Sequence, residues 1–359
     1  MKAMVLRGTE LTVEDVAKPA AAPGLVLARV LACGICGSDL HAAKYMDDMI
    51  AAAKASGRRV WYDRDHSAGI VMGHEFVAEI VESGAGVEGW EAGTRVTSMP
   101  VVIDPASETG FRSIGYSPEI PGAYSEYVVM SASLLLRVPD SVSDVVAATT
   151  EPCAVGLHAV RQAAMSEGQS ALVMGAGPIG LMTLLWLKHD GVRFVAISDY
   201  SPERRALAAR LGADLVIDPA TENVADTIAA SLEGLGAATA PGANAPAPDV
   251  VFECVGVQGT LEQAMELVQA RGQVIVVGVC MKADTIQPMV GINKQLRLAF
   301  VLGYTPDEYA GALEALGNGS IDTAPLVTRT VGIDDLPATF LALADPKDCK
   351  VVVVPGGPR

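Results

Sequence analysis

The stretch CGICGSDLH at residues 33–41 brings two thiols, a hydroxyl, a carboxylate and an imidazole together. Cys33 and Cys36 have the spacing of a redox pair, but such a pair is expected beside a thioredoxin-like strand–helix unit, so we favour other roles. A structural zinc site would need a second CxxC pair, and the chain has none. Cys33 is therefore expected to pack as a small apolar residue. The role of Cys36 depends on residues elsewhere.

Three further residues could join Cys36 around a metal ion. The GHE motif supplies His74 and Glu75, and the segment EPCAVGLHA begins with Glu151. Each alone has a simpler explanation, as a core histidine or as a glutamate in a turn or at a helix start. Together, one thiolate, one imidazole and one or two carboxylates suit Zn²⁺, which accepts sulfur, nitrogen and oxygen ligands.

The segment GAGPIG at residues 175–180 predicts a dinucleotide site, because it follows an apolar strand and opens a helix. Gly175 permits the tight turn, Gly177 lets the backbone approach a pyrophosphate, and Gly180 allows close packing of helix and strand. The helix N-terminus offers free N–H groups to the phosphates. The predicted cofactor-binding residues of this turn are Gly175, Gly177, Pro178, Ile179 and Gly180.

An aspartate at the end of the next predicted strand indicates which cofactor is bound. The carboxylate of Asp199 would accept hydrogen bonds from a ribose 2′-hydroxyl and repel a 2′-phosphate, which favours NAD over NADP. Arg204 and Arg205 follow soon after, so some use of NADP stays open. The alternative for Asp199 is a turn residue before the next helix.

A zinc site has a chemical use beside a nicotinamide cofactor. Oxidation of an alcohol must release a proton as the hydride leaves, and zinc lowers the pKa of an alcohol bound to it. Ser38 and His41 could relay that proton to solvent, although a turn-capping serine and a surface histidine are the simpler readings. Asp39 is better placed to orient a zinc ligand.

Hydrophobic patterning predicts an α/β protein with two parts. Up to about residue 150 the chain is mostly strand and turn, with one predicted helix at residues 47–57. From about residue 152, strands alternate with helices, which predicts a doubly wound parallel sheet. The last part is mixed and is expected to complete the first domain. The Gly/Ala/Pro-rich stretch at residues 234–248 is expected to be a loop.

Composition excludes several classes of function. The formal net charge of the 359 residues is −16 and no basic run is present, which argues against nucleic acid and anionic membrane surfaces as partners. The longest uncharged stretch, residues 171–187, is interrupted by glycines and a proline and is slightly short for a membrane span of ~20 residues. With no secretory signal and six irregularly spaced cysteines, we expect a cytoplasmic protein with reduced thiols.

The motifs together resemble the zinc-dependent medium-chain alcohol/polyol dehydrogenases, in the branch of sorbitol and secondary-alcohol dehydrogenases. The matching pieces are GICGSDLH, GHEFVAEIVESGAGV, GTRV, GAYSEYVV, EPCAVGLHA, GAGPIG, FECVG and VVGV. The resemblance implies a GroES-like, mostly-β catalytic domain at residues 1–151 and 300–359. It implies a Rossmann NAD-binding domain at residues 152–299, with the active site in the cleft between the two.

The resemblance also implies roles for individual residues. Cys36 and His74 match catalytic zinc ligands, Glu151 supplies or supports the third ligand, and Glu75 matches a glutamate that joins the zinc in some states. Cys153 lies two residues past the matching position and is not assigned to the metal. Against the cofactor, the resemblance places Cys254 and the backbone near Val277 and Val279. It implies a homodimer or homotetramer joined through the Rossmann sheets.

Three departures from the family pattern carry expectations of their own. Residues 97–122 contain no cysteine, so we expect no structural zinc and one catalytic zinc per chain. Position 37 is glycine and cannot bind pyrophosphate through a side chain. The segment at residues 42–72 looks long for the family, and several of its side chains could line a substrate cleft or pack an insertion onto the surface: Met46, Met49, Ile50, Trp61 and Tyr62.

These observations predict an NAD-dependent zinc dehydrogenase that converts a secondary or polyol-like alcohol into a ketone or aldehyde, or the reverse. One alternative is a zinc-free quinone or enone reductase of the same superfamily, a class that generally lacks the Cys–His–Glu set. Another is a non-catalytic NAD-binding protein that keeps the fold. The expected partner is a small alcohol or carbonyl substrate.

Overall fold

The computed structural model describes residues 1–57, 69–240, 243–343 and 347–357. The chain forms two compact units. The first unit comprises Met1–Glu151, Tyr309–Gly319 and Val327–Arg359, and the second comprises Pro152–Glu308 and Ser320–Leu326. The units differ from the expected domain bounds in two stretches, because residues 300–308 and 320–326 group with the second unit.

The elements up to the first unit boundary are mostly strands. In chain order they are β1 (Lys2–Arg7), β2 (Glu10–Asp15), β3 (Leu25–Gly34), α1 (Gly37–Ala55), β4 (Ile70–Val71), β5 (Glu75–Ser83), β6 (Arg95–Ser98), β7 (Val101–Ile103), β8 (Phe111–Ser113), β9 (Tyr127–Ser131), β10 (Leu135–Arg137), α2 (Asp144–Ala147) and α3 (Thr150–Ala163). A short 3₁₀ turn, Ala132–Leu134, lies between β9 and β10.

Strands and helices then alternate along the second unit. They are β11 (Ser170–Met174), α4 (Pro178–His189), β12 (Phe194–Ser198), α5 (Pro202–Arg210), β13 (Leu215–Ile217), α6 (Val224–Gly234), β14 (Val250–Glu253), α7 (Thr260–Leu267), β15 (Gln273–Val276), α8 (Pro288–Lys294) and β16 (Arg297–Phe300). In the described part of the predicted Gly/Ala/Pro-rich loop, residues 235–240 and 243–248 between α6 and β14 contain no helix or strand.

The C-terminal elements are α9 (Pro306–Asn318), β17 (Val327–Val331), α10 (Leu336–Ala342) and β18 (Lys350–Val353), with 3₁₀ turns at Ala324–Leu326 and Ile333–Asp335. Strands β17 and β18 return to the first unit and pair with each other in parallel, while β18 pairs antiparallel with β3. Strands β17 and β18 therefore belong to the sheet of the first unit, while residues 300–308 and 320–326 group with the second unit.

The core of the first unit lies around a seven-stranded sheet in which β10, β6, β5, β3, β18 and β17 are neighbours in that order and β9 pairs with β3. Its buried side chains include Val30, Phe76 and Met130. Strand β3 pairs antiparallel with β5, and this register sets Gly34 opposite Glu75. The pairing thus brings the start of α1 close to the start of β5.

The second unit is built on a six-stranded sheet in the order β13-β12-β11-β14-β15-β16, and every neighbouring pair is parallel. The chain order reverses between β11 and β14, so a ligand crevice is expected there, at the carboxyl ends of the strands. The predicted α/β fold, with a mostly-β part and a doubly wound parallel sheet, is confirmed.

Helix α1 is longer than the sequence predicts. The prediction began at residue 47, whereas the helix begins at Gly37 and bends at Tyr45, whose φ and ψ are −135° and 32°. The carboxylate of Asp39 accepts a hydrogen bond from the backbone N–H of Cys36 at 3.2 Å, which caps the first turn. Ser38 and His41 therefore lie in a helix rather than in a turn.

Across the described ranges, none of the helices combines the length and the apolar character that a bilayer crossing requires.

Candidate functional site

Three predicted metal ligands lie together in the first unit. One ligand atom from each of Cys36, His74 and Glu75 lies within 4.8 Å of the other two. Cys36 is the residue before α1, while His74 and Glu75 stand at the start of β5. A sulfur, a nitrogen and an oxygen donor at this spacing form a set that suits Zn²⁺.

The close approach of Glu75 depends on a glycine in the opposite strand. A Cβ atom at Gly34 would lie 2.0 Å from Oε2 of Glu75, far inside van der Waals contact. The bare backbone at position 34 therefore leaves the space into which the carboxylate turns. This explains why a glycine ends β3 next to the donor cluster.

Asp39 faces the candidate imidazole ligand. Its carboxylate is fully buried, and Oδ1 lies 3.2 Å from Nδ1 of His74, an ion-pair contact without regular hydrogen-bond geometry. Burial alone would raise the pKa of Asp39, but the charge of His74 and hydrogen bonds outweigh it and lower that pKa. A carboxylate that faces Nδ1 favours the tautomer whose Nε2 lone pair is free to bind a metal.

A buried lysine that sequence reasoning missed holds Glu75. Nζ of Lys350 donates to Oε1 and Oε2 of Glu75 at 2.8 and 2.7 Å and to the carbonyl of Ile35 at 3.0 Å. Burial would lower the pKa of Lys350, but the charge of Glu75 raises it to about 12. In the sequence, Lys350 is the one charged residue at the start of the apolar run KVVVVP, which could have indicated a buried charge. The sequence does not indicate which residue it would pair with.

The predicted relay residues lie on α1, beside the donor cluster in sequence. The hydroxyl of Tyr116 donates to Oγ of Ser38 at 2.9 Å, and burial lowers the pKa of His41. Within the described part of the chain, no hydrogen bond joins Ser38 to His41. The relay therefore stays a prediction.

Glu151 occupies the first turn of α3 and is buried, but its carboxylate is not part of the donor cluster among the described residues. It lies near enough to act electrostatically on Lys350 and Tyr309. Its role as third ligand thus stays a prediction. Cys153 packs in the core, where burial raises the pKa of its thiol to about 12.

The segments that depart from the family pattern are partly described. Met46 and Met49 pack against the core of the first unit, and Ile50 is partly buried. Trp61 and Tyr62 lie outside the described residues. Strands β7 and β8 form an antiparallel hairpin within the segment 97–122 that lacks cysteine.

The glycine-rich turn of the second unit has the geometry that a dinucleotide site needs. Gly175 follows β11 with φ at +91°, and Gly177 caps the N-terminus of α4 with no side-chain hydrogen bond. A Cβ at Gly180 would lie 1.9 Å from the carbonyl oxygen of Gly175. At Gly177 a Cβ would meet only a guanidinium nitrogen of Arg204, at 3.7 Å, so the helix N-terminus is open to a phosphate.

Asp199 lies directly after β12, beside that turn. Its Oδ2 accepts from the N–H of Ala176 at 2.7 Å and its Oδ1 from the N–H of Ser201 at 2.7 Å. Each oxygen keeps a further lone pair that could accept from a ribose hydroxyl. The guanidinium of Arg205 bonds the carbonyls of Asp199 and Tyr200 and the carboxylate of Asp218.

The loops after β14 and β15 lie against each other at the same edge of the sheet. Oε1 of the buried Glu253 accepts from the N–H groups of Val255 and Gly256, and its carbonyl accepts from Val277 and Gly278. Cys254 bonds the carbonyl of Met174 through its N–H. Glu253, which the sequence analysis missed, thus organises the loops that hold three predicted cofactor-binding residues: Cys254, Val277 and Val279.

Comparison with known proteins identifies both units. A family described as "Zinc-binding dehydrogenase" matches residues 178–318, and a family described as "Alcohol dehydrogenase GroES-like domain" matches residues 22–140. The (R,R)-butanediol dehydrogenase of Bacillus subtilis is 32% identical in an alignment 337 positions long, which covers 91% of each chain. The L-threonine 3-dehydrogenase of Rhizobium johnstonii is 30% identical in an alignment 365 positions long, which covers 98% of each chain.

Comparison with solved structures supports the same family. The crystal structure of the 2R,3R-butanediol dehydrogenase of Bacillus subtilis matches with a TM-score of 0.82 at 31% identity, over 99% of both chains. A zinc-binding dehydrogenase of Sinorhizobium meliloti, described as putative and bound to NADP, matches with a TM-score of 0.82 at 26% identity, over 99% of both chains. The chain belongs to the zinc-type medium-chain alcohol dehydrogenases, enzymes that interconvert alcohols and carbonyl compounds with a nicotinamide cofactor.

Proposed function

We propose that this enzyme holds one catalytic zinc ion through Cys36, His74 and Glu75, with Glu151 close by as an alternative carboxylate. The observation that carries the proposal is the convergence of three different donor types within 4.8 Å. Asp39 supports it, because a buried carboxylate behind an imidazole is the usual partner of a metal-binding histidine. When bound, zinc would act as a Lewis acid and favour loss of the alcohol proton as the hydride leaves.

The protein groups around this site have separate tasks. Cys36 and His74 bind the metal, and Asp39 orients the ring of His74. Lys350 donates to both carboxylate oxygens of Glu75 and so limits where they can turn. Ser38 accepts the proton of the substrate hydroxyl and releases its own hydroxyl proton, and His41, whose pKa is lowered by burial, takes up the released proton and passes it to solvent.

We propose NAD as the cofactor rather than NADP. The negative charge of Asp199 at the end of β12 would repel a 2′-phosphate. Arg204 and the NADP-bound structure from Sinorhizobium meliloti favour the opposite preference. The ratio of kcat/KM for NAD and NADP decides between them. We expect it to exceed ten, and to fall by about tenfold in Asp199→Asn, a change of ~1.4 kcal/mol in transition-state binding.

We propose as substrate a secondary alcohol with a second polar group on the neighbouring carbon. The names of the two curated relatives share this chemistry, because 2,3-butanediol carries a hydroxyl there and threonine an amino group. A panel of 2R,3R-butanediol, L-threonine and 2-butanol tests it. Equal kcat/KM for 2-butanol and for the best of the other two would contradict it.

The ligand assignment is tested with Cys36→Ser and His74→Ala. We expect both variants to lose zinc and to form NADH from the alcohol at less than a thousandth of the wild-type rate, because the metal carries most of the charge stabilisation. Wild-type zinc content and turnover in both variants would contradict the assignment. Activity on enones or quinones in a zinc-free protein would favour a reductase instead.

We also propose a homodimer that forms through the second unit, in the cytoplasm. Strand β16 lies at the edge of the six-stranded sheet, and Phe300 and Leu302 near its end are 72% and 68% exposed. An edge strand with exposed apolar side chains is a template for pairing with a second copy. Light scattering on a size-exclusion column should give twice the chain mass, and Phe300→Asp should lower it. The proposed cytoplasmic location rests on the six irregularly spaced cysteines of the sequence, a pattern that is not typical of a disulfide framework.

A further inference from the structure

Tyr116 joins two groups of the proposed zinc site through a single hydroxyl. Its Oη lies 2.9 Å from Oγ of Ser38 and 3.0 Å from Oδ1 of Asp39. Its ring lies 5.4 Å from the ring of His74, centroid to centroid, at an interplanar angle of 38°. One side chain therefore touches the proposed relay serine, the orienting carboxylate and the proposed imidazole ligand.

The cysteine-free segment 97–122 supplies this tyrosine, and the backbone fixes its place. A Cβ at Gly115 would lie 2.9 Å from the carbonyl oxygen of Gly73, so the two glycine backbones pass close to each other. That carbonyl accepts from the N–H of Ala123, which ties the end of the segment to the residue before His74. The segment that departs from the family pattern is thus built onto the proposed metal site.

The hydroxyl of Tyr116 has one proton to donate and two acceptors within hydrogen-bond distance. A tyrosine hydroxyl carries one proton, and the carboxylate of Asp39 only accepts. The donor proton of Tyr116 therefore serves two competing acceptors, Ser38 and Asp39. A second tyrosine, Tyr124, donates to the other oxygen of Asp39 at 2.6 Å and to the carbonyl of Gly34 at 3.2 Å. Tyr124 secures Asp39 without touching Ser38.

We propose that Tyr116 is a positioning residue that couples the carboxylate behind His74 to the relay hydroxyl of Ser38, and so sets the direction in which Ser38 faces the substrate. This rests on the proposed function, since it presumes that Ser38 takes the substrate proton. Tyr116 acts through Ser38 and Asp39 and needs no contact with the substrate.

The two tyrosines give a matched pair of variants, because Tyr116→Phe and Tyr124→Phe each remove one hydrogen bond to Asp39. Only Tyr116→Phe also removes the bond to Ser38. With zinc saturating, we expect Tyr116→Phe to lower kcat about tenfold with less than a threefold change in KM, and Tyr124→Phe to lower kcat by less than threefold. Zinc competition with a chelator should show a similar loss of zinc affinity in both variants, within the 10–100-fold range of such supporting groups.

The decisive test is a double-mutant cycle with Ser38→Ala. If Tyr116 acts on kcat through Ser38, Tyr116→Phe lowers kcat by less than threefold in the Ser38→Ala background, which is the loss allowed for the bond to Asp39 alone. If the two single variants each lose about tenfold in kcat and the double variant loses the product of the two factors, Tyr116 does not act through Ser38. That result would overturn the proposal while leaving Ser38 as the relay. Equal kcat for the two Tyr→Phe variants would overturn it as well. A Ser38→Ala enzyme with wild-type kcat would instead remove the relay from the proposed function, and the proposal with it.

Folding is checked by the unfolding transition of each variant, since phenylalanine keeps the ring against His74. If Tyr116→Phe does not fold, the cobalt-substituted wild type and Ser38→Ala provide the second measurement. The d–d absorption bands report the ligand field of the site. Tyr116 links Ser38 to Asp39 behind His74, so Ser38→Ala should shift these bands, and unchanged bands would overturn the coupling.

Discussion

Nζ of Lys350 bonds both carboxylate oxygens of Glu75 although the two residues are 275 positions apart in the chain. The side chains are 1% and 0% exposed, so neither charge has water as an alternative partner. The pair fixes a proposed zinc ligand to the last strand of the first unit. Its formation requires the tail of the chain to return to β3.

Lys350→Met should lower the free energy of unfolding by about 3–5 kcal/mol, because it leaves the charge of Glu75 buried and unpaired. Urea denaturation of the chelator-treated protein measures this loss. Lys2→Met is the control, since the Lys2–Asp334 pair is exposed and its removal should have a much smaller effect. Equal effects of the two substitutions would contradict the account.

Substituting Gly180 and Gly177 by alanine should distinguish the glycine that is needed for helix packing from the glycine that is needed for cofactor binding. The methyl group at position 180 would collide with the carbonyl of Gly175, so we expect a loss of about 1–3 kcal/mol in stability. At position 177 the methyl group has space, so stability should change by less than about 0.5 kcal/mol. Gly177→Ala should instead weaken NADH binding, measured by fluorescence titration, because the new methyl group lies where the phosphates approach the helix. Unchanged NADH affinity would show that the phosphates do not lie there.

Glu308→Gln should destabilise the second unit only above acidic pH. Burial would raise the pKa of Glu308, but a hydrogen bond from the N–H of Thr305 and the contact with His158 lower it below its usual 4.5. A lowered pKa stabilises the folded state above pH 4.5, and this contribution disappears as pH falls through the folded-state value. The difference in unfolding free energy should be about 1–2 kcal/mol at pH 7 and fade below pH 4.5. Glu314→Gln, at an exposed glutamate, is the control and should leave the unfolding free energy unchanged across this pH range. If Glu308→Gln and the wild type still differ in unfolding free energy well below pH 4.5, the stabilising role of the Glu308 carboxylate is contradicted.

Alkylation of cysteines should reveal the metal. In the zinc-loaded enzyme at pH 8, iodoacetamide should label the exposed Cys280 and leave Cys36 unlabelled, because the metal occupies its sulfur. After treatment with a chelator, Cys36 should be labelled as well. Cys153 should stay unlabelled in both samples, since burial raises the pKa of its thiol to about 12. Labelling of Cys36 at the same rate with and without zinc would remove it from the metal site.

The parts of the fold that the sequence predicted depend on neighbours in the chain. The alternation of strands and helices after residue 152 and the GAGPIG turn are local patterns, and both appear as predicted in β11 and α4. The sequence does not predict the start of α1, because Asp39, which caps the helix through the N–H of Cys36, has an equally good explanation as a residue of the metal site.

The supporting residues of the site could not be predicted in the same way. Lys350, Tyr116 and Tyr124 reach Glu75 or Asp39 only after distant strands have paired. Tyr116 lies 77 positions from Asp39 and Tyr124 lies 85 positions from it. No local periodicity in the sequence predicts such contacts. A combination of thiol, imidazole and carboxylate groups, in contrast, indicates a metal site from the residue types.

The catalytic zinc site is tested by the amount of zinc per chain, measured by inductively coupled plasma mass spectrometry on protein purified without added metal. We expect one zinc per chain, which is lost together with turnover when a chelator is added and is restored with turnover when zinc is returned. A value near zero that added zinc cannot raise would contradict the catalytic site at Cys36, His74 and Glu75. A value of two would contradict the expectation that residues 97–122 bind no structural zinc.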